Sequence, residues 1–304
     1  MTLAGDTAVA EKSSIRTRRT LVWFIYLASF ALIAWLFADG YSYYMTPYLQ
    51  RPHHPGYALF RPAGSRGLMY GIAGSAMMIL MLVYSIRKRT NLMGHTIQLS
   101  RLLDIHIYLG VMGPLLILLH TSFRVHGLVA VSFWSMVAVA LSGYFGRYLY
   151  VQIPRNIVGN ELTLHEMEQT NSEMAGSLRT RFHLDDEMLR RVGSLFEKRL
   201  IPKRRGVFLS VATLMIDDLV RPVTRRGLRR QLGRIILLPK NQFRELFEIS
   251  FRRALLRRRI ELLGQVQVLF HYWHVIHKPF AIIMYIIMGI HIGVALWTGY
   301  AWIR

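Results

Sequence analysis

Two pairs of histidines stand out because the members of each pair are separated by the same 14 residues. His106 and His120 occur in the apolar sequence LDIHIYLGVMGPLLILLH, and His277 and His291 occur in HVIHKPFAIIMYIIMGIH. In an α-helix, at about 100° and about 1.5 Å per residue, residues with this separation leave nearly the same side and lie about 21 Å apart. Each helix would therefore carry one histidine toward each of its ends.

This pattern fits the axial ligands of two haem groups. If the two helices run parallel, His106 is level with His277 and His120 is level with His291. Two imidazoles facing across an apolar gap form the ligand set of a low-spin, six-coordinate haem iron. A lone intramembrane histidine often only bonds to a neighbouring helix, but that does not explain two equal separations. The sequence predicts two haems b, one on each pair.

Small residues near the histidines fit a bulky cofactor. Gly110 and Gly113 lie between His106 and His120 on nearly the same face, where a larger side chain would collide with a macrocycle. In the partner segment, small residues occupy comparable places: Ala281, Gly289 and Gly293. Glycine in membrane helices also serves close helix packing, and this alternative stays open.

Cationic residues near the ends of these helices are candidate partners of the haem propionates. Arg124, one turn beyond His120, is the outer candidate, and Arg101 and Lys278 are the inner candidates. Each of the three could instead anchor its helix end at the membrane interface.

Several other histidines stay unassigned. His271 and His274 precede His277 at helical spacing, but His274 is 17 residues from His291, so His277 fits the pair better. The two spare histidines could bind a propionate, line a quinone site, carry protons or simply be solvated. Roles for three more, including a third haem on His126, stay open: His53, His54 and His126.

Five apolar runs are long enough, at about 18 residues or more, to cross a hydrocarbon core. They are Leu21–Ala38, Gly67–Ile86, Ile105–Phe123, Leu128–Tyr150 and Phe270–Trp302. We therefore predict an all-α integral membrane bundle of about five transmembrane helices.

The short flanks of these runs set the expected orientation. Basic residues precede the first span and separate the second from the third: Lys12, Arg16, Arg18, Arg19, Arg87, Lys88, Arg89 and Arg101. By the positive-inside rule these flanks are cytoplasmic, so the amino terminus lies inside and the carboxyl terminus, near Arg304, outside. A bacterial inner (cytoplasmic) membrane is the expected location.

Four regions follow from this topology. Residues 1–20 form a cytoplasmic segment, 21–150 form spans one to four with an ordered outer loop at 39–66, and 270–304 form the fifth span. Between them, 151–269 form a mainly helical cytoplasmic insertion.

The insertion carries 23 Lys and Arg against 13 Asp and Glu, a balance of +10. A capping box at Thr163 to Glu166 predicts a helix start. Val207–Val220 is too short for a span and is expected to be a buried or interfacial helix. From about Asn241, one helix is expected to run directly into the fifth span.

The formal charge of +21 is explained by the membrane position of the basic residues. They can attract anionic lipid headgroups or dock an acidic soluble protein, whereas no nucleic-acid-binding motif accompanies them. The chain has no cysteine, which excludes disulfides, iron–sulfur ligation by this chain and c-type haem attachment.

The histidine pattern resembles the transmembrane domain of ferric-reductase-like proteins and NADPH oxidases, in which two helices each supply two histidines about 14 apart. It is also similar to the respiratory cytochrome b subunits. The resemblance covers roughly residues 101–150 and 271–300. Those reductases usually continue into a flavin and nicotinamide module, whereas this chain has no G-x-G-x-x-G fingerprint.

The resemblance implies an electron-transfer subunit with no catalytic site of its own. A flavoprotein or iron–sulfur subunit is the expected inner partner, and a cytochrome or other electron carrier the outer one. Two alternatives stay open: a quinone-reactive cytochrome b subunit, and a metal or proton transporter whose histidines form a relay.

Overall fold

The computed structural model describes residues 3–90, 99–154, 162–201 and 206–299, and only the backbone of residues 3–19. The described chain is helical, with no strand in those ranges. The predicted all-α class is therefore confirmed. The carboxyl terminus and the side chains of the amino-terminal basic residues, on which part of the predicted orientation depends, lie outside the described part.

Ten α-helices and one 3₁₀ turn make up the described chain. The α-helices are α1 Leu3–Asp39, α2 Tyr41–Met45, α3 Tyr57–Phe60, α4 Ser65–Arg89, α5 Leu99–His120, α6 Leu128–Gln152, α7 Leu164–Phe182, α8 Asp186–Leu200, α9 Val207–Ile235 and α10 Lys240–Trp297. The 3₁₀ turn covers Tyr48–His53.

Five of the described helical segments are long and apolar enough to cross a membrane. They are Thr20–Asp39, Tyr57–Arg89, Leu99–His120, Leu128–Gln152 and Lys240–Trp297. Each predicted apolar run overlaps one of them. The third run extends three residues past His120, and residues 300–302 of the fifth lie outside the described part. The expectation of one helix from about Asn241 into the last run is also confirmed, because α10 is continuous from Lys240.

The chain divides into two compact units, Met1–Gly143 with His277–Arg304, and Tyr144–Ile276. Helices α6 and α10 contribute to both. The first unit contains all four histidines of the predicted pairs.

In the first unit, α4 and α5 are in contact along their length. Glycines allow this approach: a Cβ at Gly74 would lie 2.9 Å from the Ile117 side chain and 3.1 Å from the carbonyl oxygen of Gly113. Substitution by a larger residue would force the helices apart, since close-packed neighbours have nowhere to move.

Side-chain hydrogen bonds hold α10 at its midpoint within this unit. The Tyr285 hydroxyl of α10 donates to the carbonyl oxygen of Met78 in α4 at 2.6 Å. The Ser132 hydroxyl of α6 donates to the carbonyl oxygen of Met284 in α10 at 3.0 Å. These bonds lie between His277 and His291 and fix the position of α10 along its axis.

The segment at 39–66 forms an aromatic cap. Tyr43, Tyr44 and Phe60 are buried. Arg51 donates to the carbonyl oxygens of Tyr44 and Ser122, each at 2.8 Å. The cap is thereby tied to the turn that follows α5.

The second unit has two apolar cores. One joins α7, α8 and the carboxyl-terminal half of α9 to the start of α10, with Phe196 buried against the rings of Phe247 and Phe251. The other joins the end of α6, the start of α9 and the middle of α10.

Local signals account for the helix starts in this unit. The predicted capping box is present, because the Thr163 hydroxyl accepts from the Glu166 backbone N–H and the Glu166 carboxylate accepts from that of Thr163. Asp185 caps α8 through the Met188 backbone N–H. The predicted Val207–Val220 helix is longer than expected and continues through Pro222 to Ile235.

Candidate functional site

His120 is the last residue of α5, and its ring is oriented by α4. Its Nδ1 lies 2.8 Å from the carbonyl oxygen of Gly67. A carbonyl oxygen only accepts hydrogen bonds, so Nδ1 carries the proton and Nε2 of the neutral ring keeps its lone pair. This is the protonation pattern of a histidine that ligates a metal through Nε2.

Gly71 provides the space for this ring. A Cβ at Gly71 would lie 2.7 Å from Nδ1 of His120 and 2.8 Å from its Cε1. The ring of His120 is therefore held between the Gly67 carbonyl group and the backbone of Gly71, in a position that only glycine permits.

His291 of α10 faces His120. The centroids of the two rings are 6.4 Å apart, with an angle of 61° between the ring planes. Two imidazoles that bind one metal from opposite sides, with metal–nitrogen bonds of about 2 Å, have centroids about 6 Å apart. The separation of His120 and His291 is compatible with two ligands of one metal, and it also lies within the range of an ordinary edge-to-face ring contact.

Helices α5 and α10 do not pack against each other over the described residues in the way that α4 and α5 do. Close-packed helices have axes about 8–10 Å apart. The two histidine-bearing helices are therefore farther apart than such a close-packed pair.

His106 is oriented in the same manner as His120. Its Nδ1 lies 3.2 Å from the carbonyl oxygen of Met81, and its ring centroid lies 5.1 Å from that of Tyr84. Both neighbours belong to α4. The proton again lies on Nδ1, which leaves Nε2 available as a donor to a metal.

His277 is oriented by α6 through a two-step relay. Its Nδ1 lies 2.8 Å from the hydroxyl oxygen of Ser142, and that hydroxyl donates to the carbonyl oxygen of Val139 at 3.0 Å. With the hydroxyl proton donated to Val139, Nδ1 of His277 is the donor to Ser142. The ring of His277 is thereby oriented toward α6.

Three of the four histidines are oriented through Nδ1 by an oxygen atom of α4 or α6. The fourth, His291, lies close to the ring of His120. His120 and His291 face each other, whereas His106 and His277 are each defined by their own orienting bonds. Sequence spacing predicted the four positions. The orienting groups on α4 and α6 gave no recognisable signal in the sequence.

The predicted haem-side glycines of α5 contact α4 instead. A Cβ at Gly110 would lie 3.1 Å from Cε of Met81, and one at Gly113 would lie 3.2 Å from Cγ of Met78. Both glycines therefore serve helix packing in this structure, which was the alternative that the sequence left open. By contrast, a Cβ at Gly289 or Gly293 would meet open space.

The predicted propionate partners lie at exposed positions. The guanidinium carbon of Arg124 lies 3.2 Å from the centroid of the Tyr48 ring, so this arginine stacks on the cap. Arg101 and Lys278 are exposed. Their predicted contact with a cofactor stays a prediction.

Two buried tyrosines were not singled out from the sequence. The side chains of Tyr44 and Tyr70 are 4% and 7% exposed, and their hydroxyl groups have no hydrogen-bond partner among the described residues. Burial raises the pKa of Tyr44, so its hydroxyl group remains a donor. Tyr70 immediately precedes Gly71, the residue against which His120 packs. These two buried hydroxyl groups are candidate donors to an anionic group.

The remaining histidines have other neighbours or lie on the surface. Nδ1 of His274 donates to the carbonyl oxygen of Phe270, one turn back, at 2.9 Å. Nδ1 of His54 accepts the Gly56 backbone N–H at 2.9 Å. The others in the described ranges are exposed: His53, His126, His165, His183 and His271.

Within the described ranges, no group of three or more His, Asp or Glu side chains could hold a metal ion. A haem iron takes four of its ligands from the macrocycle and needs only two from the protein.

Comparison with known proteins gives no family assignment, since no family model, curated protein or solved structure matches the chain. The class of the protein is therefore described from its structure alone. The described chain is all-helical, with five candidate membrane spans and two histidine-bearing helices, α5 and α10.

Proposed function

We propose that this protein is a dihaem cytochrome b subunit that carries electrons across a membrane. The approach of His120 and His291 to 6.4 Å between ring centroids is the observation that carries the proposal. The orienting bonds of His106 and His120 support it, because a carbonyl acceptor at Nδ1 leaves Nε2 as the unprotonated nitrogen. The contact with Ser142 orients His277.

The four histidines have the donor atoms that a bis-histidine haem needs. His120 and His291 would hold the outer haem, and His106 and His277 would hold the inner one. When bound, a bis-histidine haem b supplies reversible one-electron chemistry with no open position on iron. The chain's own residues orient the imidazoles of His106, His120 and His277, and would offer the Tyr44 and Tyr70 hydroxyls to an anionic substituent.

The proposed setting is a bacterial cytoplasmic membrane with the amino terminus inside. The five apolar helices support insertion. The proposal places the basic region 151–269 in the cytoplasm, where a flavoprotein or iron–sulfur subunit would dock. An electron-carrying cytochrome would receive or supply electrons at the outer side, near the aromatic cap.

The test is the absorbance of the purified protein. We expect a reduced-minus-oxidised spectrum of a low-spin haem b and two haems per chain by pyridine haemochrome assay. A colourless protein after expression with sufficient haem would overturn the proposal and favour the histidine-relay transporter. A ratio well above two would overturn the assignment of ligands to four histidines.

A further inference from the structure

Helix α9 carries an exposed apolar stripe along its amino-terminal half. The side chains of Phe208, Leu219 and Val223 are 77%, 81% and 69% exposed. Together with their neighbours they occupy an arc about 140° wide and about 22 Å long. The stripe consists of Phe208, Leu209, Ala212, Met215, Ile216, Leu219, Val220 and Val223. A contiguous apolar patch of this extent marks an interaction surface.

The opposite face of the same half-helix is buried in the second unit. Val211 and Leu214 pack in a core that also contains Leu149 of α6 and Leu262 of α10. Helix α6 is a candidate span, and the α10 part of this core is followed directly by the apolar run that starts at Phe270. The stripe therefore lies beside segments that lead into candidate spans.

Basic residues continue the same arc in the carboxyl-terminal half of α9. Arg226, Arg230 and Arg234 are exposed and fall within the angular range of the stripe. The two acidic residues of α9, Asp217 and Asp218, lie outside that range. One face of the helix is thus apolar over its first half and cationic over its last turns.

We propose that this face of α9 lies in the boundary layer of an anionic membrane leaflet. The stripe would contact acyl chains, and the three arginines would contact lipid phosphates. A lipid leaflet matches both halves, because an interfacial helix gains from apolar burial and from attraction to anionic headgroups. The proposal is independent of haem binding, so its test is read without any haem measurement.

Spin labels can test this placement in the full chain, since the chain has no native cysteine. Single cysteines are introduced by Phe208→Cys, Leu219→Cys and Val223→Cys. Ser194→Cys is the matched control, because Ser194 is an exposed residue of α8 in the same unit. The labelled proteins are placed one copy per nanodisc, in lipid containing phosphatidylglycerol.

Collision with molecular oxygen, which concentrates in lipid, is compared with collision with a water-soluble nickel chelate. We expect the three stripe labels to collide mainly with oxygen and the Ser194→Cys label mainly with nickel. Stripe labels as accessible to nickel as the control would overturn the proposal. Labels sheltered from both reagents would also overturn it, because in a single-copy disc they would indicate burial against the protein itself.

The arginines are tested by their dependence on lipid charge. In Leu219→Cys protein, we expect the oxygen-to-nickel collision ratio to fall when phosphatidylglycerol is replaced by phosphatidylcholine. The variant Arg226→Gln/Arg230→Gln/Arg234→Gln should show the lower ratio in both lipids. A ratio that responds to neither change would contradict the assigned contact with lipid phosphates.

Discussion

At the scale of single residues, the informative atoms are the ring nitrogens that point away from the proposed iron. Each Nδ1 proton of His106, His120 and His277 is used on an oxygen of α4 or α6. Such bonds fix the ring orientation and raise the basicity of the other nitrogen, and their loss weakens metal binding about 10- to 100-fold. Ser142 is the one orienting group that acts through a side chain and can be removed by mutation.

We expect Ser142→Ala to weaken retention of the inner haem about 10-fold and to raise its reduction potential, because His277 becomes a less basic ligand. Ser142→Thr keeps the hydroxyl group and serves as the control. Redox titration with optical detection separates the two haems. An unchanged titration in Ser142→Ala would contradict an orienting role for this serine.

At the scale of elements, the tight contact between α4 and α5 explains the position of His120. It also explains why the neighbour of the glycine-bearing face of α5 could not be predicted from the sequence. Helical periodicity places Gly110, Gly113 and the two histidines of α5 on one face, as predicted. It does not say which neighbour that face meets, since that depends on the packing of all the helices together. The structure places the glycines against Met78 and Met81 of α4.

Gly71→Ala tests the contact between these elements. The added Cβ would lie 2.7 Å from the His120 ring, so we expect the ring to move and the outer haem to be lost. Gly143→Ala in α6 is the matched control, because a Cβ there meets nothing within 4 Å. That substitution should stabilise its helix by about 0.5–1 kcal/mol. Full outer-haem content in Gly71→Ala protein would show that His120 is not held there.

Other elements could be anticipated because their signals are local. Apolar length predicted the five candidate spans, and a capping box predicted the start of α7 at Leu164. The continuation of α9 past Val220 was not predicted. Its later turns are polar and contain Pro222, and they are held by the buried Leu228 and Leu232 and by the ion pair of Arg225 with Glu248.

At the scale of the whole molecule, a buried ion network stabilises the second unit. Arg258, only 2% exposed, donates to Oδ1 of Asp218 at 2.5 Å, and Gln152 donates to Oδ2 at 2.9 Å. Burial alone would raise the pKa of Asp218, but the bonds from Arg258 and its neighbours outweigh burial and lower it. Breaking such a pair leaves an uncompensated buried charge.

This network predicts a loss of stability at low pH. Because the folded-state pKa of Asp218 lies below its ordinary value of 3.8, its contribution is present above that pH and is lost as pH falls further. We expect the melting temperature of the purified protein to fall below about pH 4. Asp218→Asn should melt at a lower temperature at pH 7 and show a weaker acid dependence. The same slope in both proteins would exclude Asp218 as its source.

The most direct test of the central claim is the haem content of three variants: His120→Ala, His291→Ala and the double variant. If these two residues hold the same iron, each single variant should retain one haem per chain, and the double variant should also retain one. His126→Ala, which changes an exposed histidine just beyond α5, should retain two. A double variant with no haem, or single variants with two, would contradict the pairing of His120 with His291.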